Sequence, residues 1–394
     1  MDSVKHDKKK RVNPVAPVPP EGETEQSQPP VSDDDQIYLA SQWQLVWRRF
    51  RRHRLALVSI AVLLVIYGVA TFAEFVSPYD PYRHDRRYAF APPQLPRFFS
   101  EDGIHIRPFV YGLQQSRDPV TLQVVYELDR SQRNPIQWFV RGAPYKFWGL
   151  WETDLHLFGA EGGTVFLLGA DNLGRCLFSR IVFGARISTT IGLMGVFLSF
   201  LIGIPVGAVS GYYGGALDEL VQRLIEFLQS IPSIPLWMGL AAALPADWPV
   251  IRVYFGITVI LSLIGWGGLA RVVRSKFMSL REEDFIMSAR LIGASEKRVI
   301  LLHMLPSFSS HIIASITLAV PGMILAETSL SFLGLGIRPP AISWGSLLQQ
   351  AQNVRSVALA PWLLTPALFV ILTVLAFNFV GDGLRDAADP YSER

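Results

Sequence analysis

The chain has 394 residues and a single cysteine, Cys176. That count excludes an internal disulfide and any cysteine-based metal cluster. There is no CxxC, no HExxH and no GxxxxGK[ST]. The residues therefore show no sign of hydrolysing ATP, and no cofactor or metal site is expected. Charge is also scarce: 18% of residues are charged against 50% hydrophobic, too apolar for an ordinary soluble domain. The net charge of +3 is small and makes no case for nucleic acid. A cleavable signal peptide is missing too, because no apolar stretch follows the basic run from Lys5 to Arg11. Residues 1–36 continue in Pro, Glu, Ser, Gln and Asp and read as a disordered cytoplasmic tail.

What the chain does have is long apolar runs. The first, 55–76, is long enough to cross a hydrocarbon core of about 30 Å. Arg48, Arg49, Arg51, Arg52 and Arg54 precede it and place the N-terminus in the cytoplasm. Residues 37–54 carry Tyr38, Trp43 and Trp47 among polar positions and read as an amphipathic helix lying against membrane lipid. Five further runs follow at 187–212, 220–244, 255–273, 311–336 and 359–380. Alternation then puts 274–310 and the C-terminus in the cytoplasm. Arg271, Arg274, Lys276, Arg281, Arg290, Lys297 and Arg298 agree with that, while the opposite loop 245–253 carries only Arg252. The expected fold is an all-α integral membrane protein of about six transmembrane helices.

Residues 77–186 differ. They are rich in Pro, Arg, Asp and aromatics and hold no run long enough to span. They read as an extracytoplasmic insert between the first and second spans, with short strands at 121–128, 135–140 and 145–150. Within 187–394, Gly192, Gly195, Gly203, Gly207, Gly265, Gly267 and Gly268 would let helices approach closely. Pro205, Pro232, Pro235, Pro321 and Pro366 would kink or interrupt them.

The cytoplasmic loop 274–310 holds the most informative segment, which reads as two short helices about a tight turn. Glu283 or Asp284 opens the first, where a carboxylate complements the helix N-terminus. Phe285, Ser288, Ala289 and Ile292 share a face. Gly293 ends that helix in the left-handed conformation, Ser295 caps the next, and Pro306 ends it. A short helix held between two spans can dock into a groove on a soluble partner.

This segment resembles the EAA loop of bacterial ABC importer permeases, E-A-A-x-x-x-G-A-S through H-x-L-P. The matches are Ala289, Gly293, Ala294, Ser295, His303, Leu305 and Pro306, with Met287 and Ser288 standing where Glu and Ala are usual. The stretch from Gly169 to Ser188 is similar to that of the dipeptide, oligopeptide and nickel permeases. So are Ser77–Pro81, Gly211–Gly215, Glu327–Gly336, Ser343–Gly345 and Gly381–Pro390. Residues 93–161 exceed the loop of the shortest members.

The resemblance implies the second, C-type permease of a peptide importer with a type I permease bundle in the bacterial inner membrane. It also implies a homologous partner permease, one or two ATPase subunits and an extracytoplasmic solute-binding protein. Asp284, Ser288, Ala289, Arg290, Gly293, Ala294 and Ser295 would then form the ATPase-coupling surface, within 284–297. Nickel and opines are the minority cargoes.

Glu226 and Glu327 lie inside predicted spans, where a carboxylate needs a partner or a wet cavity. Arg223 can pair locally with Glu226. Glu327 has no such neighbour and is the candidate for the translocation pathway or the permease interface. Asp171, Arg175, Arg180 and Arg186 read either as a contact surface for the binding protein or a gate, or as a hydrogen-bonded loop anchored at the interface, and the last reading is favoured. Two other classes stand beside the importer. A self-sufficient secondary transporter would be expected to show internal repeats, and none is evident. An intramembrane enzyme would need converging catalytic groups in the spans, and no spacing supplies them.

Overall fold

The computed structural model describes residues 42–100, 103–117, 119, 124–160, 162–245 and 247–388. The expected tail 1–36 and the first residues of the expected amphipathic helix lie outside them. The chain divides into two units, 1–45 and 46–394. Of the first, only residues 42–45 are described, at the start of helix α1 (Gln42–Phe50).

Among the described residues, five helices are long and apolar enough to cross a membrane, or six spans if a sharply bent pair counts as one. They begin with α2 (Arg54–Thr71), whose first turn is capped by the His53 ring accepting the Ala56 N–H at 3.1 Å. The second long helix, α3 (Leu177–Tyr213), starts ten residues before the apolar run that signals it. Its 37 residues extend about 55 Å, well beyond a hydrocarbon core. The uninterrupted apolar run is cut short by Arg186 and Arg180. The helix continues through them because each guanidinium has a carboxylate partner.

The run at 220–244 is two helices, α4 (Gly215–Ser230) and α5 (Ser233–Ala242), bent by 82°. Pro232 causes the break. It lacks an N–H and forces Ile231 into extended backbone at φ −86°, ψ 128°. Then come α6 (Val250–Leu280), α7 (Asp284–Leu291), α8 (Ser309–Phe332), the short α9 (Trp344–Gln349) and α10 (Thr365–Ala388). A mixed helical stretch, Glu296–Ser307, joins α7 to α8. It contains a π-type turn over Val299–Met304 and runs through Pro306 rather than ending there.

Small residues set the closest helix contact. Gly203, Gly207 and Gly211 line one side of α3, and a Cβ added to them would meet the carbonyl oxygens of Trp266, Ala270 and Arg274 at 3.0, 2.4 and 2.6 Å. Backbone therefore lies against backbone between α3 and α6. The main core gathers Leu177, Ile181, Ile191, Leu261, Ile324, Trp344 and Phe377, all buried.

The insert is β-rich. Strands β1 (Arg97–Ser100), β2 (Gly103–Arg117) and β3 (Val124–Pro135) form an antiparallel sheet in that order. Strands β4 (Gln137–Phe147) and β5 (Trp151–Gly159) form a hairpin with Phe147 opposite Trp151. The segment expected as a strand at 145–150 is thus the end of β4 and its turn. Trp148 and Gly149 take φ values of +50° and +75° there. The first two strands escape sequence reading because Pro108 and scattered charges interrupt the alternation that marks a strand.

Candidate functional site

The loop after α6 forms a compact foot. Arg281 ends α6, and Glu283 takes extended backbone as the N-cap of α7. Asp284 follows in the first turn, exposed. At the other end, Ala294 N–H donates to the Ala289 carbonyl and Gly293 N–H to the Arg290 carbonyl, each at 3.0 Å. These two bonds are a Schellman motif, and Gly293 supplies its left-handed residue at φ +86°. A Cβ on Gly293 would meet nothing within 4 Å, so the requirement for glycine is conformational and not steric.

The helix buries Ile286 and Ala289, which sit three apart on one side. Ile286 joins Tyr212 of α3, Phe277 of α6, and Val299, Met304 and Phe308 in a second core. Of the face expected from sequence, only Ala289 is buried; Phe285, Ser288 and Ile292 point away from the chain. Leu291 and Ile292 are 87% and 86% exposed, and Phe285 and Met287 are also uncovered. Lateral ties fix the foot. Arg290 lies over the Tyr212 ring at 5.0 Å, and the Tyr213 hydroxyl donates to Glu296 at 2.7 Å. Ser295 occupies the N-cap of the next helical turn, but its side chain makes no cap hydrogen bond.

Beneath the foot, Asp218 at the start of α4 accepts from Arg274 of α6 through both oxygens and from Ser210 of α3. This three-helix knot was not legible in sequence, since 56 positions separate Asp218 from Arg274. The Arg223–Glu226 pair does form, at 3.1 Å and exposed.

Glu327 of α8 is fully buried within the chain. It accepts from the Ser188 hydroxyl at 2.9 Å and from the Ser331 hydroxyl at 2.7 Å. Ser188 in turn accepts the Trp344 N–H at 3.0 Å, and Ser331 accepts the Ile337 N–H at 2.9 Å. The indole of Trp344 donates to the Ile181 carbonyl, also at 3.0 Å. Gly345 lets the first turn of α9 press onto α8, where a Cβ would lie 2.6 Å from the Thr328 carbonyl oxygen. The carboxylate therefore joins α3, α8 and the Ser343–Ser346 capping box into one hydrogen-bonded plug.

Asp171, with 0% exposure, is the hub of the loop before α3. It accepts the backbone N–H of Leu173 and Arg175, the Arg175 guanidinium at 2.7 Å and that of buried Arg180. Arg186 makes a two-pronged pair with Glu74 at 2.7 and 2.8 Å. Among the described residues no group of three or more His, Cys, Asp or Glu could hold a metal ion.

Several long apolar helices, small-residue crossings and a compact foot between two of the helices define a polytopic membrane protein. Comparison with known proteins identifies its kind. Residues 203–393 match the family described as the binding-protein-dependent transport system inner membrane component, and residues 41–93 match the N-terminal TM domain of oligopeptide transport permease C. The oligopeptide transport system permease protein OppC of Haemophilus influenzae is 40% identical over 258 residues, 64% of this chain and 80% of that one. The glutathione transport system permease protein GsiD of Escherichia coli is 31% identical, covering 92% of this chain and 94% of its own. The dipeptide transport system permease protein DppC of Bacillus subtilis is 29% identical, covering 89% and 86%. Among solved structures, the MetNI methionine ABC transporter in inward-facing conformations aligns over 53% of this chain with 18% identity and a TM-score of 0.42. The chain belongs to the inner membrane permease family of binding-protein-dependent ABC importers. That membership sets aside the self-sufficient transporter and the intramembrane enzyme.

Proposed function

We propose that this chain is one of two permease halves of a bacterial peptide importer, coupled to its ATPase through residues 284–297. The exposed apolar end of α7 carries the reading. Phe285, Met287, Leu291 and Ile292 project from a helix whose other side is locked onto α3 and α6 by Ile286. A groove on an ATPase subunit would cover them, burying roughly 1.5–3 kcal/mol per large side chain. Asp284, Ser288, Arg290 and Ser295 frame that surface, while Ala289, Gly293 and Ala294 shape the turn that presents it. ATP hydrolysis belongs to the partner subunits. Closure of the ATPase dimer would press on α7, and the close-packed α3–α6 pair would tilt with it as a unit and alternate the side to which the pathway opens.

In this reading both termini are cytoplasmic, and the 77–186 insert faces the solute-binding protein across the membrane. Glu327 holds the wall of the pathway together from inside one chain. Peptide is the cargo class that the names of the oligopeptide and dipeptide relatives support. The test is purification of the tagged chain from its native membrane in mild detergent, then ATPase assay in proteoliposomes. Recovery of a second permease, an ATPase and a binding protein, with hydrolysis stimulated by peptide-loaded binding protein, is the expected result. A chain that purifies alone, or a complex indifferent to peptide, would count against it.

A further inference from the structure

We propose that the tip of the β4–β5 hairpin, residues 147–151, is a membrane-interface anchor seated in the lipid headgroup layer beside the end of α2. The proposal rests on α2 crossing the bilayer.

Depth is the first argument. The 18 residues of α2 rise about 27 Å, close to one hydrocarbon thickness. With Arg54 and its neighbouring arginines at one boundary, Thr71 lies at the other. The Trp148 indole N–H donates to the Thr71 carbonyl at 2.9 Å, which pins the hairpin tip at that level. Arg186 Nη2 donates to the same oxygen at 3.1 Å, so a helix-end carbonyl that lacks an intrahelical partner is satisfied twice.

The second argument is the surface itself. Phe72, just past the helix end, stacks on Phe147 at 5.9 Å and on Trp148 at 6.4 Å. Leu150 and Trp151 stand 69% and 64% exposed beside them. Val58 and Val65, seven apart on α2, and Phe72 a further seven on at its C-cap, are exposed as well. The apolar stripe of the span thus runs without a break onto the hairpin. A protein partner on the tip would also have to cover that stripe, whereas lipid meets both. The indoles of Trp148 and Trp151, apolar in the body with one N–H, are the ring type that favours this layer.

The third argument is backbone cost. Trp148 holds φ at +50°, a conformation that a bulky residue rarely adopts and that Asn or Gly would take more easily. The turn keeps an aromatic ring where turn chemistry alone would not choose one.

The sole cysteine of this chain, Cys176, is buried, so single cysteines placed on its surface can be labelled in this subunit before assembly with unlabelled partners. Leu150→Cys and Trp151→Cys would each carry a nitroxide in the full transporter, reconstituted in phosphatidylcholine–phosphatidylglycerol vesicles. Val65→Cys marks the span, and Ile106→Cys, on β2 and 98% exposed, marks water. The readout is the ratio of collisions with oxygen to collisions with a water-soluble nickel chelate. Ratios at 150 and 151 severalfold above that at 106, approaching that at 65, are expected. A ratio equal to that at 106 overturns the proposal. So does a label reached by neither reagent, which would place a protein on the patch. Water-like behaviour at 65 would remove the spanning reading of α2 and the anchor with it, whereas lipid at 65 with water at 150 defeats the anchor alone.

Discussion

Glu327 of α8 accepts a hydrogen bond from Ser188 of α3 at 2.9 Å, although 139 positions separate the two residues. The contact ties two membrane helices to the start of α9, because the same serine oxygen accepts the Trp344 N–H. Glu327→Ala would leave the hydroxyls of Ser188 and Ser331 without their acceptor in a buried site. A loss of about 1–3 kcal/mol is expected, seen as a lower melting temperature in detergent. Glu327→Gln keeps an acceptor oxygen and should lose clearly less. Equal effects of the two would show that the hydrogen bonds do not hold this junction.

Gly293→Val should abolish coupling while leaving membrane insertion intact. The turn needs φ near +86°, and a β-branched residue resists it by about 1–2 kcal/mol. Gly293→Asn, which tolerates that region, should retain most transport. Uptake measured at matched expression checks both, and normal uptake by the valine variant would refute the role of the turn.

Leu291→Asp and Ile292→Asp test the foot from its outer side. Both positions are exposed in the chain, so its own melting temperature should hardly move. Affinity for the ATPase subunit should fall roughly ten- to hundredfold as an apolar contact of about 1.5–3 kcal/mol is lost. Titration of purified ATPase against the permease pair gives the answer, and unchanged affinity would move the docking surface elsewhere.

Gly207→Leu should separate α3 from α6, because even a Cβ would lie 2.4 Å from the Ala270 carbonyl oxygen. A cost of about 1–3 kcal/mol is expected in thermal unfolding. Gly268→Ala is the matched control, since an added Cβ there meets nothing within 4 Å.

Asp171→Ala would strand the buried Arg180 guanidinium in the loop before α3. Breaking one side of a buried pair costs about 3–5 kcal/mol, so poor accumulation and a large drop in melting temperature are expected. Near-normal stability would argue that Asp171 is kept for contact with a partner instead.

Local chemistry explains what was readable in the sequence and what was not. The spans, the arginine cluster before α2 and the glycine at 293 each leave a signature within a few residues. Apolar length, charge beside it and positive φ are properties of short segments. Pro232 likewise announced an interruption, though not that the two halves would bend by 82°. The buried face of α7 differs from the expected one because periodicity defines a stripe but not what packs on it. Ile286 faces inward only because Tyr212, Phe277 and Met304 converge there from three other segments.

By itself the sequence determined that this chain crosses a membrane several times and presents a glycine-terminated helix between two spans. Those features follow from the cost of unsatisfied backbone in lipid and from the conformational limits of single residues. Only the tertiary structure decided which charges are held and by whom. Asp171 with Arg180, Asp218 with Arg274, and Glu327 with Ser188 pair helix to helix or loop to helix, across 9, 56 and 139 positions. A buried polar group must find a partner, but no local pattern says how far along the chain that partner will lie.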